Sequence, residues 1–230
     1  MTFIQDLLAL LAPRICLLCK QPLEEAEEHL CTHCFDALPK YPIRGEGLLF
    51  LSHRHWGKVN SERAASIFPY VKDSRVQALI WAIKYERYTA LGKMLSRYGA
   101  TKLMEVGFFD GMDAIIPLPL HPKKEKKRGH NQCMIIAQGI ADVTGLEVIS
   151  PLIRQTNDKS QTTHKRWDER WDNLSAPFVN TAPEQTDGKH ILLVDDVFTS
   201  GATIAQAVKA IHANSPSAQC SIFTLAAVRG

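Results

Sequence analysis

Uninterrupted apolar runs and helix-spaced apolar residues alternate along the second half of the chain. The runs at Asp113–Leu120 and Ile191–Val194 lack the alternation of a half-exposed strand, which is typical of strands covered on both faces in a parallel sheet. Apolar residues at helical spacing follow each run after a polar segment: Ile136, Ile140 and Val143 after the first, and Ile204, Val208 and Ile211 after the second. This order of strand, loop and helix predicts a doubly wound α/β fold with a parallel sheet.

Two adjacent carboxylates, Asp195 and Asp196, stand where the second apolar run is predicted to end. The loop that follows, Thr199–Thr203, is rich in hydroxyls and opens onto a predicted helix, whose free amide groups and dipole favour a phosphate. Carboxylates repel a phosphate, so the pair suits vicinal hydroxyls, a metal ion, or both, carried by the same ligand. The alternative is an ordinary strand–turn–helix in which the aspartates cap the helix.

This segment resembles the phosphoribosyl-pyrophosphate (PRPP) loop of type I phosphoribosyltransferases, in which an apolar strand precedes two acids, a variable pair and Thr/Ser-Gly-x-Thr. The resemblance implies that Asp195 and Asp196 hold the ribose hydroxyls. It also implies that the 5′-phosphate lies in a cradle formed by Thr199, Ser200, Gly201, Ala202 and Thr203. The sequence contains neither a G-x-x-x-x-G-K-[ST] P-loop nor a G-x-G-x-x-G after a strand, so two other phosphate motifs are unsupported.

Composition bounds the class of protein. The chain has 230 residues, 45% of them hydrophobic, which suffices for one core and a small appendage, and a net charge of +3, too small to indicate nucleic-acid binding by itself. The apolar stretch Phe3–Leu11 contains Asp6 and lacks a basic flank, so it predicts a short amphipathic helix rather than a signal peptide. No apolar window approaches the ~20 residues that cross a bilayer, and a cytoplasmic protein without membrane insertion is expected.

Four of the six cysteines form two C-x-x-C pairs, Cys16 with Cys19 and Cys31 with Cys34, separated by eleven residues. This spacing predicts a structural four-thiolate zinc site, since four protein ligands leave no position for water or substrate. Disulfides are the competing interpretation, but a cytosolic chain would keep its thiols reduced. Cys133 and Cys220 stand alone and are predicted to be small core residues.

Two polar segments offer charge to the same site. The segment His121–Gln132 follows the first predicted strand as a loop with five basic residues and one acid, which suits a pyrophosphate, a nucleic acid, or neither. The glycine-free excursion Arg154–Asn173 suits a lid over phosphates, with Trp167 and Trp171 packing on the core or stacking on a base. Between the four-cysteine segment, called the finger below, and the first apolar run, the sequence predicts a strand at Ala64–Val71 and a helix that starts over Val76–Ile83. Lys84, which follows directly, is expected to reach either the ligand or solvent.

The ordered set of motifs resembles the ComF competence-protein family along essentially the whole chain. That family more often has phenylalanine at the position of His130. The motifs that carry the resemblance are the four-cysteine finger; Pro117-Leu118-Pro119-Leu120; Arg128-Gly129-His130-Asn131-Gln132; Arg154, Thr156, Gln161, Thr162, Arg170 and Asn173; and Asp195 to Thr203.

The resemblance implies a phosphoribosyltransferase fold, with structural zinc, and with magnesium bound alongside PRPP. Asp195, Asp196, Arg128 and Arg170 are the expected catalytic residues. The expected pyrophosphate and lid residues are Arg128, Gln132, Arg154, Gln161, Lys165 and Arg166. Expected partners are PRPP, single-stranded DNA during natural transformation, and proteins of the DNA-uptake machinery. Three functions stay open: an active transferase with an unidentified acceptor, an inactive PRPP-binding regulator, and a DNA-handling factor.

Three regions are predicted on this basis. Residues 1–42 hold the N-terminal helix and the finger, residues 43–111 form a connecting region or hood, and residues 112–230 form the phosphoribosyltransferase-like core.

Overall fold

A five-stranded parallel sheet lies at the centre of the protein. The computed structural model describes residues 13–43, 61–154 and 177–228; the predicted helix at Phe3–Leu11 and nearly all of the predicted lid fall outside them. The sheet has the strand order β1-β7-β6-β2-β3, and a separate antiparallel pair is formed by β4 and β5. The strands are β1 (Ala64–Tyr70), β2 (Ala114–Pro117), β3 (Glu147–Val148), β4 (Leu152–Arg154), β5 (Phe178–Asn180), β6 (His190–Phe198) and β7 (Gln219–Val228).

Six α-helices accompany the strands within the described residues, and none of them is long and apolar enough to cross a bilayer. They are α1 (Thr32–Asp36), α2 (Arg75–Tyr85), α3 (Thr89–Met104), α4 (Pro122–Arg128), α5 (Gln132–Thr144) and α6 (Ala202–His212). The predicted parallel α/β fold is therefore confirmed, and the helices predicted to follow the two apolar runs correspond to α5 and α6.

Helices cover the sheet on both faces. On one face, α2, α3 and α5 pack through Leu79, Leu95 and Ile136 against sheet residues such as Ile67 and Leu192. On the other face, α6 packs through residues such as Ile204, Val208 and Ile211 against Leu193 and Ile222. Burial on both faces explains why the β2 and β6 sequences read as continuous apolar runs.

The strand that carries the acid pair extends further than the sequence predicts. Instead of ending at the carboxylates, β6 runs through Asp195 and Asp196 to Phe198, and pairs in parallel with β7 up to Ala227. The neighbouring strand explains this extension. The apolar strand β7 continues alongside β6, and its Ala226 and Ala227 pair with Val197 and Phe198. The acid pair therefore lies within a rigid strand, not in a loop.

The basic segment after β2 forms a helix where a loop was expected. The ring Nδ1 of His121 accepts a hydrogen bond from the Lys123 amide at 3.2 Å, and Pro122 occupies the first turn, where no amide partner is needed. Gly129 ends α4 in the left-handed conformation with φ of 80°. The side chains of the four lysines of α4 consequently project from a fixed scaffold.

The predicted connecting region or hood, residues 43–111, contributes a strand to the central sheet. Its β1 pairs in parallel with β7 from Ala64 to Tyr70, and α2 and α3 bury their apolar faces on the same core. The boundaries at 42/43 and 111/112 stay a prediction.

The finger is attached to this core through aromatic and hydrogen-bonded contacts. Phe35 meets Tyr98 of α3 edge-on with ring centroids 4.9 Å apart. Beyond the finger, the Tyr41 amide donates to Ile67 O of β1, and the Tyr41 hydroxyl donates to Ala227 O of β7 at 3.1 Å.

Candidate functional site

The acid pair on β6 meets two different elements. Successive side chains of a strand point to opposite faces, so the two carboxylates separate. Asp196, which is 6% exposed, forms an ion pair with Lys84 near the end of α2, with 2.7 Å between Nζ and Oδ2. Asp195 Oδ1 accepts a hydrogen bond at 3.4 Å from the thiol of Cys133, which lies at the start of α5 and packs with the cluster on the α6 side of the sheet, and another from the Asp196 amide at 2.8 Å.

Burial and mutual repulsion control the protonation of this pair. Desolvation, followed by the negative charge of Asp196, raises the pKa of Asp195 to about 7. Burial lowers the pKa of Lys84, but the carboxylates of Asp196 and Asp195 outweigh it, and the net shift is upward. Burial also raises the pKa of the Cys133 thiol well above its ordinary value, so this group stays protonated and donates.

The predicted phosphate cradle lies directly after β6. Thr199 and Ser200 are exposed, and Gly201 caps α6 in the left-handed conformation with φ of 81°. Gly201 has no side chain with which to cap α6. The Ala202 amide makes one long hydrogen bond, of 3.4 Å, to Ser200 Oγ. The first amides of α6 thus face the loop, an arrangement that favours an anion.

Arg128 is held beside the acid pair by a chain of contacts. Its Nη1 donates to Gln132 Oε1 at 2.8 Å, its Nη2 donates to the Tyr85 hydroxyl at 3.2 Å, and its guanidinium lies 4.9 Å from the Tyr85 ring centroid. The Gln132 amide in turn lies 3.7 Å from the sulfur of Cys133, which contacts Asp195. The structure therefore links Arg128 and Gln132 to Asp195 through Cys133, and their role toward a ligand stays a prediction.

The other predicted phosphate ligands are not assembled in the same way. Arg154 ends β4, with its guanidinium 5.2 Å from the centroid of Phe178 on the small antiparallel pair. The remaining lid residues, namely Gln161, Lys165, Arg166 and Arg170, lie outside the described residues, and their roles stay predictions.

The four finger cysteines lie together as predicted. Their sulfur atoms all fall within 4.8 Å of one another, and the sulfurs of Cys19 and Cys31 are 3.7 Å apart. Thiolates bound tetrahedrally at about 2.3 Å from zinc lie roughly 3.8 Å apart, so the cluster fits this metal. The Cys31 amide donates to the sulfur of Cys16 and the Cys34 amide to that of Cys31, both at 3.4 Å, and each of these hydrogen bonds orients a metal-facing sulfur.

The surroundings of the cluster match a structural role. Cys16 and Cys34 are buried in the core that α3 shares, and Cys31 caps the short helix α1. Backbone donors outweigh burial and lower the pKa of Cys16 to about 6. The Arg14 guanidinium donates to three backbone carbonyl oxygens in the loop between the two C-x-x-C pairs, those of Glu24, Glu25 and Glu27.

Sequence reasoning missed parts of the acid-pair site. The sequence does not distinguish between a ligand contact and solvent exposure for Lys84. The packing of α2 shows that its side chain reaches Asp196. Cys133 is buried as predicted, but its contact with Asp195 was not foreseen. The contact of Tyr85 with Arg128 joins two helices that are distant in sequence, and no local pattern indicates it.

Comparison with known proteins relates the chain to one domain and to several relatives. Residues 132–229 match the family model of the phosphoribosyl transferase domain. The chain is 32% identical to competence protein ComFC of Bacillus subtilis over 111 residues, which cover 48% of this chain and 43% of that protein. It is 24% identical to DNA utilization protein YhgH of Escherichia coli K12, over 91% of this chain and 95% of the relative. Competence protein F of Haemophilus influenzae is 23% identical, with 86% and 90% covered.

Removing one finger thiol tests the metal centre. We expect Cys31→Ser to bring the bound zinc well below one equivalent and to lower the melting temperature, because one of the four thiolates is lost while serine can still cap α1. Elemental analysis of the purified protein measures the metal. Cys220→Ala, which changes a buried cysteine outside the cluster, is the control and should keep its zinc. Equal zinc content in both variants would contradict the assignment.

Removing the cation at the acid pair tests its electrostatics. We expect Lys84→Met to lower the free energy of unfolding by about 2 kcal/mol, because Asp196 would be left buried without a counter-charge. The matched control is Lys102→Met, which breaks an exposed ion pair with Glu105 and should change stability by less than about 0.5 kcal/mol. Denaturant unfolding at neutral pH measures both, and indistinguishable losses would refute the interpretation.

The raised pKa of Asp195 predicts a pH dependence of stability. Because the folded-state pKa of about 7 exceeds the ordinary 3.8, the folded protein holds this proton more tightly than the unfolded chain. The stabilisation from Asp195 is therefore present at acidic pH and lost as the pH rises through 7. We expect the unfolding free energy of the wild type, measured relative to Asp195→Asn, to fall from about pH 4 to about pH 7 and to level off at higher pH. A difference that stays constant would show that Asp195 is ionised throughout.

Proposed function

Because the chain belongs to the ComF family and carries a phosphoribosyl transferase domain, we propose that it binds PRPP with magnesium and handles single-stranded DNA in the cytoplasm. The observation that carries the PRPP part is the position of the acid pair on rigid β6, directly before a loop whose helix amides are open to an anion. This arrangement offers hydroxyl acceptors and a phosphate site a few residues apart on one edge of the sheet.

Each group in the site has a part in holding PRPP. Asp195 and Asp196 accept hydrogen bonds from the ribose hydroxyls, and Thr199–Thr203 cradle the 5′-phosphate. Lys84 and Arg128 supply positive charge to the diphosphate side, since Lys84 contacts Asp196 directly and Arg128 is linked to Asp195 through Gln132 and Cys133. The carboxylate oxygens are also hard ligands of the kind that magnesium accepts, and the ion would supply charge to the diphosphate.

Phosphoribosyl transfer would follow from positioning and charge. The bond from C1′ of the ribose to the diphosphate oxygen breaks, and the electron pair leaves with the diphosphate. A nucleophilic atom of the acceptor forms the new bond to C1′ and releases its proton to solvent. Lys84 and Arg128 stabilise that departing charge, while the two aspartates fix the sugar. The acceptor, a base in nucleotide salvage or another group, is unassigned. A catalytically inactive PRPP-binding regulator is the alternative, favoured by the Lys84–Asp196 ion pair that already fills part of the site.

The DNA part of the proposal draws on the relatives and on surface charge. Two relatives are named as competence proteins and one as a DNA utilization protein. Helix α4 presents four exposed lysines and Arg128 against a single glutamate, which suits a polyanion. Proteins of the DNA-uptake machinery are the expected protein partners.

Neutralising the acid pair tests the PRPP site separately from DNA binding. We expect Asp195→Asn combined with Asp196→Asn to abolish magnesium-dependent PRPP binding in calorimetric titration, because amides cannot replace two anionic hydroxyl acceptors. Binding of single-stranded DNA should be unchanged or tighter, since two negative charges are removed. The control is Asp142→Asn on α5, which breaks an exposed ion pair with Lys93 of α3 and should leave PRPP binding normal. Equal loss of both ligands in the double variant would refute two separate binding surfaces.

A further inference from the structure

We propose that the outer face of α2 and the helix α4 together form a binding surface for a single polynucleotide strand. Bases stack on Trp81 and Tyr85, and phosphates contact the α4 lysines. This inference rests on the DNA part of the proposed function and assigns it a location. The surface is defined here by Trp81, Tyr85 and α4, and is called the aromatic–basic face.

Two large aromatic side chains stand in solvent on α2. Trp81 is 55% exposed and Tyr85 is 52% exposed, although the same helix buries Leu79, Ile80 and Ile83 in the core. Their ring centroids lie 5.0 Å apart with an angle of 57° between planes, so they form one contiguous patch. Core packing does not require these rings, and an exposed aromatic pair on a rigid helix is a platform for another flat ring.

Positive charge borders this aromatic pair directly. The guanidinium of Arg128, the last residue of α4, lies 4.9 Å from the Tyr85 ring centroid and bonds its hydroxyl. The exposed lysines of α4 continue from that point: Lys123, Lys124, Lys126 and Lys127. On the α2 side, the exposed Arg87 approaches the turn at Gly129, which ends α4. Cations therefore lie next to the rings and then extend away from them along one short helix.

This combination fits an unpaired strand better than a duplex. Bases inside a duplex stack on each other and do not offer their faces, whereas single-stranded bases stack on aromatic side chains for about 1–3 kcal/mol each. Phosphates spaced along such a strand need a row of cations beside the stacking rings, and α4 offers one. An acidic protein partner would match the charge but would leave Trp81 and Tyr85 without a stacking ligand.

The aromatic–basic face also adjoins the acid pair. Lys84, which contacts Asp196, directly precedes Tyr85 in α2, and Arg128 connects Tyr85 to Gln132 at the start of α5. A strand that stacks on Tyr85 would therefore pass the mouth of the proposed PRPP site. The two ligands would bind on neighbouring but separate surfaces, one at the carboxylates and one at the exposed rings.

Fluorescence anisotropy with a short labelled oligothymidylate tests the aromatic contribution. We expect Trp81→Leu and Tyr85→Leu each to weaken binding about tenfold, and Trp81→Phe to retain it, because phenylalanine still stacks. The control Met104→Leu changes an equally exposed apolar residue on α3 and should have no effect. Trp81→Leu should keep magnesium-dependent PRPP binding and its melting temperature, which shows that any loss is local. Aromatic variants that bind like the wild type would overturn the proposal.

Salt dependence tests the basic part. We expect Lys124→Gln with Lys127→Gln to weaken binding and to reduce the slope of log affinity against log salt by roughly 0.7 per lysine. Lys209→Gln, on the exposed side of α6, is the control and should leave the slope unchanged.

Competing oligonucleotides define the ligand. Oligouridylate that competes equally would identify the shared chemistry of an unpaired strand, while stronger competition by oligothymidylate would identify DNA; either supports the face. A duplex that competes equally would contradict it. If the wild type binds no oligonucleotide at all, the DNA part of the proposed function also fails, whereas the PRPP site is judged by its own titration.

Discussion

The ion pair between Lys84 and Asp196 holds the proposed site together. Two adjacent carboxylates on a buried strand repel each other and lose hydration, and the pKa of Asp195 near 7 reflects both effects. A cation within 2.7 Å of Asp196 reduces this cost. Because Lys84 comes from α2 and the acids from β6, the pair fixes one face of the sheet relative to its helix. The same contact sets the charge that a diphosphate meets.

Helix α2 connects the two proposed activities. Its inner residues, such as Ile83, pack on the core, its end supplies Lys84 to the acids, and its outer residues Trp81 and Tyr85 form the aromatic patch. Arg128 lies where these features meet. The finger packs on neighbouring α3 through Phe35 and Tyr98, so a metal-stabilised finger also supports the helical layer that holds α2. The cysteine cluster, although distant from the acid pair, is thereby connected to the helices that surround it.

Local signals in the sequence predicted most of the fold, and long-range contacts account for what they missed. Burial on both faces gives β2 and β6 their continuous apolar sequences, and the paired C-x-x-C spacing predicts the cluster of four cysteines. The extension of β6 beyond Asp196 depends on pairing with β7, which no local pattern reveals. The α4 helix has no apolar periodicity because it buries no residue, so the hydrophobic pattern does not predict it. Its ends are defined instead by His121 and Pro122 at the start and Gly129 at the end. Lys84 could not be assigned because only tertiary packing brings it to Asp196.

A crystal structure of the protein with magnesium and PRPP tests the central claim most directly. We predict that the 5′-phosphate lies on the amides and hydroxyls of Thr199–Thr203, with the ribose hydroxyls on Asp195 and Asp196. We also predict that the diphosphate lies on the side of Lys84 and Arg128. PRPP bound elsewhere, or bound with its sugar away from both carboxylates, would contradict the assignment of this edge of the sheet as the phosphoribosyl site.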